Sequence, residues 1–569
     1  MPNRYPQTSQ EFMQLPWSGI EPFYQELAGR SLDAANVNQF LLDWTALSQL
    51  WYEAYQRLYV GITMDTTDQQ AEQAYNDFLD NIYPAVQDAE QRLKEKLLAS
   101  GLQPDRFDVP LAILRMEAAI FRSENLPLLS EELKLGTEYD KIAGGQTVEW
   151  EGNELTLLQL QPVYQETDRE RRERAWRLVA RRQLADREAI NELWGRMMAV
   201  RRQITENAGL PDFRAYMWRK RLRFDYTPED CDTFHRAIEQ VVVPTAQRLY
   251  ERRRQRLGVD QLRPWDLDVD PFSRQPLRPF EKVADLEHKT SAIFHRVDPQ
   301  LGEYFEIMRR ENLLDLENRV GKAPGGYCTD FLAIRRPFIF TNAVGVHDDV
   351  QTLIHEGGHA FHIFEASHLP YYQYFQVPLE FAEVASMGME LLAAPYLVAE
   401  AGGFYTQADA ARAFADNLER SLLFWPYMAV VDAFQHWAYT HPEQGGDPAA
   451  CDARWTELWQ RFMPGVDWSG LEQELVTGWH RKGHIHTDPF YYVEYGLALL
   501  GALQVWRNAM GNQSAAVAAY RQALSLGYSV PLPQLFATAG ARFAFDAVTL
   551  GEVVDLVLHT IDELESKQG

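Results

Sequence analysis

The sequence predicts a mostly α-helical fold. Apolar residues recur at three- and four-residue spacing over most of the chain, the period of helices with one buried face. Alternation of the β type is confined to two short stretches. The 569 residues are 46% apolar and 24% charged, enough for two or more lobes with extensive cores.

Helical periodicity runs from about 36 to 60, 70 to 100, 165 to 207 and 228 to 257. It returns from about 348 to 366, 379 to 400, 407 to 440 and 489 to 524, so the last third reads as one helical array. Residues 146–158, QTVEWEGNELTLL, alternate around Glu151-Gly152-Asn153 and predict a hairpin. Residues 325–345, GGYCTDFLAIRRPFIFTNAVG, hold two β-prone runs, Tyr327–Ile334 and Pro337–Asn342. The proline-containing stretch 258–280 reads as a long loop. A division into a helical region 1–140 and a catalytic region 141–569, with interleaved lobes, is the expected organisation.

The formal net charge is 55 − 81 = −26. A polyanion is repelled by such a surface, so nucleic acid is excluded as a partner. The basic runs Arg169–Arg182 and Arg252–Arg256 interleave with Glu, Trp or Leu and read as solvated, salt-bridged helix faces. Three widely spaced cysteines, Cys231, Cys328 and Cys451, make neither a disulfide framework nor a CxxC metal pair. A reducing compartment follows. With no secretory pattern at the N-terminus and no membrane-length apolar run, a soluble, cytoplasmic protein is expected.

The chemistry lies in VQTLIHEGGHAFHIF, a helix that Asp348 or Asp349 can cap. Residues i and i+4 share a helix face, so His355 and His359 present two imidazoles to one point. Zinc accepts imidazole nitrogen readily. Glu356 stands about 100° around the helix, where it can take a proton from a water that the metal acidifies. Two glycines inside the motif, Gly357 and Gly358, each cost roughly 1 kcal/mol of helix stability relative to Ala. Their presence predicts close approach by a ligand or another backbone. The segment points to a zinc-dependent peptidase carrying one Zn2+ per chain.

A third ligand must come from elsewhere. The metzincin position, six residues past the second ligand, is Glu365, and no glycine turns the chain there. His362 and His368 therefore read as ordinary histidines. The next helix offers Glu380, Glu383 and Glu390 in PLEFAEVASMGMELL. Glu383 and Glu390 are seven apart and share a face. One can bind metal while the other supports a ligand by hydrogen bonding. Spacing alone does not choose between Glu380 and Glu383.

HEGGHAFH, followed 24 residues after His359 by Glu383 in EFAEVAS, resembles the thimet-oligopeptidase family, and within it the oligoendopeptidase F branch. GGYCTDFLAIRRPFIFTN, GHIHTDPFYYVEYGLALLGALQVW and NAGLPDFRAYMWRKRLRFDYTPED resemble further segments of that branch. The resemblance covers about residues 140 to 555. It implies His355, His359 and Glu383 as zinc ligands and Glu356 as base. It implies two helical lobes, with a small β element beside the HExxH helix and the metal deep in a channel that admits short, extended peptides. The N-terminal region would form part of the channel wall. His486 departs from the branch, which usually has an aromatic residue there, and is expected to alter a subsite.

In Gly483–Pro489, Asp488 fits an N-cap and Pro489 the first helical position, with Tyr491, Tyr492 and Tyr495 in the first two turns. A zinc peptidase needs donors for the oxyanion of its tetrahedral intermediate. The resemblance assigns that role to His484 and to tyrosines here, Tyr495 and Tyr492 ahead of Tyr491. The β-prone segment before the metal helix can bind an extended peptide by strand addition, with the edge expected at Thr341-Asn342-Ala343.

The function expected is hydrolysis of internal bonds in short unstructured peptides. The alternatives are a carboxypeptidase or dipeptidyl carboxypeptidase, for which Arg335 and Arg336 are candidate cations, and a non-enzymatic peptide binder with a vestigial zinc site.

Overall fold

The computed structural model describes residues 5–566 apart from 273, 320 and 324. The chain is mostly helical and divides into two compact units. Unit 1 is Met1–Ala119, Arg278–Phe414 and Ala498–Phe543. Unit 2 is Ile120–Leu277, Ala415–Leu497 and Ala544–Gly569. The units interleave in sequence, but the boundary expected at 140/141 is not a break between them. The first break falls at Ala119/Ile120, and the HExxH segment shares a unit with the N-terminal helices.

In unit 1 the helices Trp17–Gly29, Val37–Met64 and Tyr83–Ser100 close over Phe40, Trp44, Leu47 and Leu93. Glu90 is buried in this core and stays satisfied. It accepts hydrogen bonds from Tyr24 Oη (2.9 Å), Trp44 Nε1 (2.6 Å) and Ser48 Oγ (3.0 Å), as a buried carboxylate must.

The β element of unit 1 has three strands where the sequence predicted two. Leu314–Glu317 (β3), Tyr327–Phe331 (β4) and Arg336–Ala343 (β5) lie in the order β3-β5-β4. β4 pairs with β5 antiparallel, Cys328 opposite Ile339. β3 pairs with β5 in parallel, Leu314 opposite Ile339. β3 is only four residues long and has too little alternation to be read from sequence. Lys322 staples it to β5: its Nζ reaches the carbonyls of Asp315 (3.0 Å), Glu317 (3.0 Å) and Thr341 (2.6 Å).

This arrangement corrects the expected peptide-binding edge. Thr341, Asn342 and Ala343 lie in the central strand. The Thr341 carbonyl is taken by Lys322, and the Ala343 carbonyl accepts from the Asn318 amide at 3.3 Å. Asn342 Nδ2 is spent on the carbonyls of Ala323 (2.7 Å) and Gly325 (2.9 Å). The outer strands are β3 and β4.

In unit 2 the predicted hairpin forms from Thr147–Trp150 (β1) and Asn153–Thr156 (β2). Glu151 (φ 53°) and Gly152 (φ 84°) make its turn, both with the positive φ such two-residue turns require. The basic runs behave differently from one another. Arg252 and Arg256 pair with Asp562 (2.7 Å) and Glu565 (2.6 Å) near the surface, as read. Arg172 is buried, with its guanidinium on Asp266 (3.0 Å) and the Trp265 carbonyl (2.9 Å). That arginine is part of the core, not a solvated face. Among the described residues no helix is long and apolar enough to cross a membrane.

Candidate metal centre

The His347–Ala366 helix carries the motif, and the Leu379–Ala393 helix packs along it within unit 1. The first helix starts differently from the expectation. Asp349 lies inside its first turn and reaches back, accepting from the amides of Val344 (2.8 Å), Gly345 (2.7 Å) and Val346 (2.9 Å). The turn it gathers needs Gly345 at φ 93°.

The two motif glycines have distinct causes. A Cβ on Gly358 would stand 2.4 Å from the Ala385 carbonyl oxygen and 2.6 Å from Ser386 Cα. The two helix backbones touch here, which only glycine permits. A Cβ on Gly357 would meet the Phe294 ring at 2.5 Å, a side-chain contact.

That close approach brings the second helix's carboxylates to the histidines. One ligand atom each from His355, His359 and Glu383 lies within 4.8 Å of the others. Glu383 Oε2 is 3.4 Å from His355 Nε2 and 3.7 Å from His359 Nε2. Glu390 accepts from His355 Nδ1 at 2.7 Å, which fixes the ring and turns Nε2 toward Glu383. Glu380, the other candidate ligand, is buried but lies outside this cluster.

Ser386 completes the set and was missed in sequence. Its Oγ donates to Glu383 Oε2 at 2.9 Å, one helical turn beyond the carboxylate. The serine that follows Glu383 in EFAEVAS was the available signal.

Two of the three charge states suit a divalent cation as they stand. Burial raises the Glu383 carboxyl, but both histidines and Ser386 outweigh it and bring it down to about 2. Burial takes His359 down to about 4, leaving a neutral imidazole. Burial also disfavours charge on His355, but Glu383 and Glu390 outweigh it and hold that ring well above its ordinary value. A metal would have to displace the extra proton of His355, after which two imidazoles and an ionised carboxylate fit zinc.

Glu356 is 7% exposed, and burial pushes its carboxyl up to about 7. His355 opposes the shift, Glu383 and Glu390 add to it, and a hydrogen bond from the Cys328 backbone amide opposes it. Cys328 lies on the outer strand β4, beside Glu356.

The remaining residues of this region are structural. His362 is buried edge-on to Phe381 (5.9 Å) and is held neutral, its pKa down to about 3. His368 is exposed, and Glu365 is paired with Arg521 at 2.7 Å. Arg336 pairs with Glu311 at 2.8 Å, and Arg335 lies over the Phe375 ring in the β4–β5 turn.

The aromatic set belongs to unit 2. The His484 ring lies 5.6 Å from Tyr491, 5.3 Å from Tyr492 and 5.9 Å from Tyr495. Tyr491 and Tyr495 are half-buried, whereas Tyr492 is 5% exposed with the Lys482 ammonium 4.1 Å over its ring. The helix start differs from the expected Asp488 cap. Phe490 takes φ 64° and the helix begins at Tyr492. Phe490 is held by Gln435, which accepts its amide proton at 2.7 Å.

His486 is a core residue and not a subsite residue. It is fully buried, stacked on Tyr139 at 4.3 Å and edge-on to Trp194 at 5.5 Å. It fills an aromatic's place as a ring.

Comparison with known proteins gives a consistent result. Residues 163–552 match the model of peptidase family M3, and residues 11–105 match the peptidase M3 N-terminal domain. A solved structure of PZ peptidase A with an inhibitor is 28% identical, with 98% of each chain covered and a TM-score of 0.87. A putative oligoendopeptidase F is 28% identical over 98% of each chain, with a TM-score of 0.88. A putative oligoendopeptidase F from Bacillus anthracis shares the fold at 24% identity and a TM-score of 0.84, covering 99% of this chain and 98% of that one. No curated protein matches the chain.

Proposed function

Because the chain belongs to peptidase family M3 and is a peptidase, we propose that it is a zinc-dependent oligoendopeptidase cleaving internal bonds of short, unstructured peptides. The observation that carries this reading is the convergence of His355, His359 and Glu383 beside the buried Glu356. His355, His359 and Glu383 would hold one zinc ion. Zinc bound there supplies Lewis acidity toward the scissile carbonyl and acidifies water.

Glu356 takes the proton of the attacking water at its carboxylate and later passes it to the leaving amine. Glu390 keeps the proton on His355 Nδ1, so Nε2 remains a donor to metal. The proposal assigns His484, Tyr495, Tyr492 and Tyr491 to oxyanion stabilisation, in line with the segment resemblance. The peptide backbone adds to outer strand β4, whose Cys328 amide already faces Glu356.

Internal cleavage is favoured over carboxypeptidase action because Arg336 is committed to Glu311 and Arg335 sits in the turn beyond Phe331. A non-enzymatic binder would have no use for Glu356 beside the ligands. The three unpaired cysteines fit a reducing, cytoplasmic setting. A peptide acetylated and amidated at its ends is the test substrate, with products identified by mass spectrometry. Internal fragments, lost with chelator and restored with zinc, are expected. Cleavage only of a version with a free C-terminal carboxylate would sink the endopeptidase reading.

A further inference from the structure

A second group of metal-binding side chains lies in unit 2. The Pro228–Ala237 helix presents Cys231 and His235, and the Gln407–Thr440 helix presents Asp432 and His436. Each pair is spaced i, i+4 and shares a helix face. Cys231 Sγ, an Asp432 carboxylate oxygen and a His436 ring nitrogen all lie within 4.8 Å of one another. His235 Nε2 is 2.9 Å from Asp432 Oδ2, and His436 Nε2 is 3.3 Å from the same oxygen.

We propose that Cys231, Asp432 and His436 form a second zinc site that ties these two helices together, with His235 holding the Asp432 carboxylate.

Three observations support it. The first is burial: Cys231 and Asp432 are 0% exposed, His235 5% and His436 6%. Trp218 and Phe490 close over the His436 ring at 5.6 and 5.4 Å. Thiol, carboxylate and imidazole are all donors that zinc accepts, and a site closed in this way offers no position for substrate.

The second is an unmet demand. Asp432 Oδ1 is buried without a hydrogen-bond partner, and it belongs to the cluster. Unsatisfied buried polar atoms are costly and need an explanation.

The third is donor chemistry. A thiolate and a carboxylate together match the charge of a divalent cation, and an imidazole adds a neutral donor. Binding breaks the Cys231 S–H bond, forms the sulfur–metal bond and releases one proton to solvent. Arg214 Nη1 is 3.4 Å from His436 Nδ1. Metal on Nε2 leaves the proton on Nδ1, so this contact is released on loading.

The chain would then carry two zinc ions and not the one expected from sequence. The full-length protein, equilibrated with zinc and desalted, should hold two equivalents, and His359→Ala should hold one. Cobalt in place of zinc should give a near-ultraviolet thiolate-to-cobalt charge-transfer band, which the imidazole and carboxylate donors of the HExxH site cannot produce. Cys231→Ser should abolish that band. A single equivalent per chain that vanishes in His359→Ala, or cobalt protein without the band, overturns the proposal. So does a band that survives Cys231→Ser. The unsubstituted cobalt protein decides the matter even if Cys231→Ser fails to fold.

Discussion

Glu390 accepts a hydrogen bond from His355 Nδ1 at 2.7 Å across two helices. This bond orients the ring of a proposed zinc ligand, in a cluster that Glu390 itself does not join. Glu390→Ala is expected to weaken zinc binding by roughly 10- to 100-fold while leaving all three ligands in place. Competition against a chromophoric chelator measures this directly. Unchanged affinity would mean that the ring is fixed by packing alone.

Glu356→Gln should keep the metal and lose turnover by at least about 10²- to 10⁴-fold, the range of a general base. The paired readouts are zinc content and cleavage of a quenched peptide. Normal turnover would remove Glu356 from the chemistry.

Tyr495→Phe removes one hydroxyl and little else. If that hydroxyl donates to the oxyanion, kcat falls by roughly 10²- to 10³-fold with little change in KM. A rise in KM alone would instead make Tyr495 a substrate-binding residue.

The two motif glycines should respond differently. Gly358→Ala drives a methyl into the Ala385 carbonyl, so two backbones must part. A cost of about 1–3 kcal/mol in stability and weakened zinc binding are expected. Gly357→Ala meets the Phe294 ring and no facing backbone, so the two helices need not part and zinc affinity should be less affected. Thermal melts and zinc titrations of both variants make the comparison.

Acid should destabilise the protein through buried neutral histidines. Burial takes His362, His480 and His486 from 6.5 down to about 3. The unfolded chain therefore binds these protons first. Stability is full above pH 6.5 and falls as pH drops toward 3. Between pH 6.5 and 5 each contributes a loss of about 2 kcal/mol. His486→Phe keeps a ring at this buried position and removes one such group. Its melting temperature should gain on the unsubstituted protein at pH 5 relative to pH 8. An equal difference at both pH values would show that His486 is not titrating.

The helices were legible because their apolar spacing is regular, and the metal helix because His355, Glu356 and His359 are adjacent in sequence. The carboxylate that joins the two histidines was not legible from spacing, since Glu380 and Glu383 are both compatible with it. What separates them is the packing of the two helices, a tertiary fact that brings Glu383 and not Glu380 to His355 and His359. Strand β3 escaped notice because four residues carry little pattern, and with it went the knowledge that Thr341–Ala343 is a central strand. His486 misled for a different reason. A histidine draws attention as chemistry, but here its ring serves as packing among Tyr139, Trp194 and Trp479. The pairs at Cys231/His235 and Asp432/His436 were overlooked because neither forms a recognised motif alone.

The interleaving of the two units has a consequence for biosynthesis. The two helices that carry His355, His359 and Glu383 lie in one stretch, Arg278–Phe414, but unit 1 is finished only by Ala498–Phe543. That late stretch includes Tyr520, whose hydroxyl donates to the Ala385 carbonyl at 2.7 Å, the same carbonyl that Gly358 packs against. On the ribosome, the ligands emerge well before the strut that braces them. A chain stalled or truncated before residue 520 is therefore expected to present the three ligands without the brace, and to hold metal loosely until synthesis is complete.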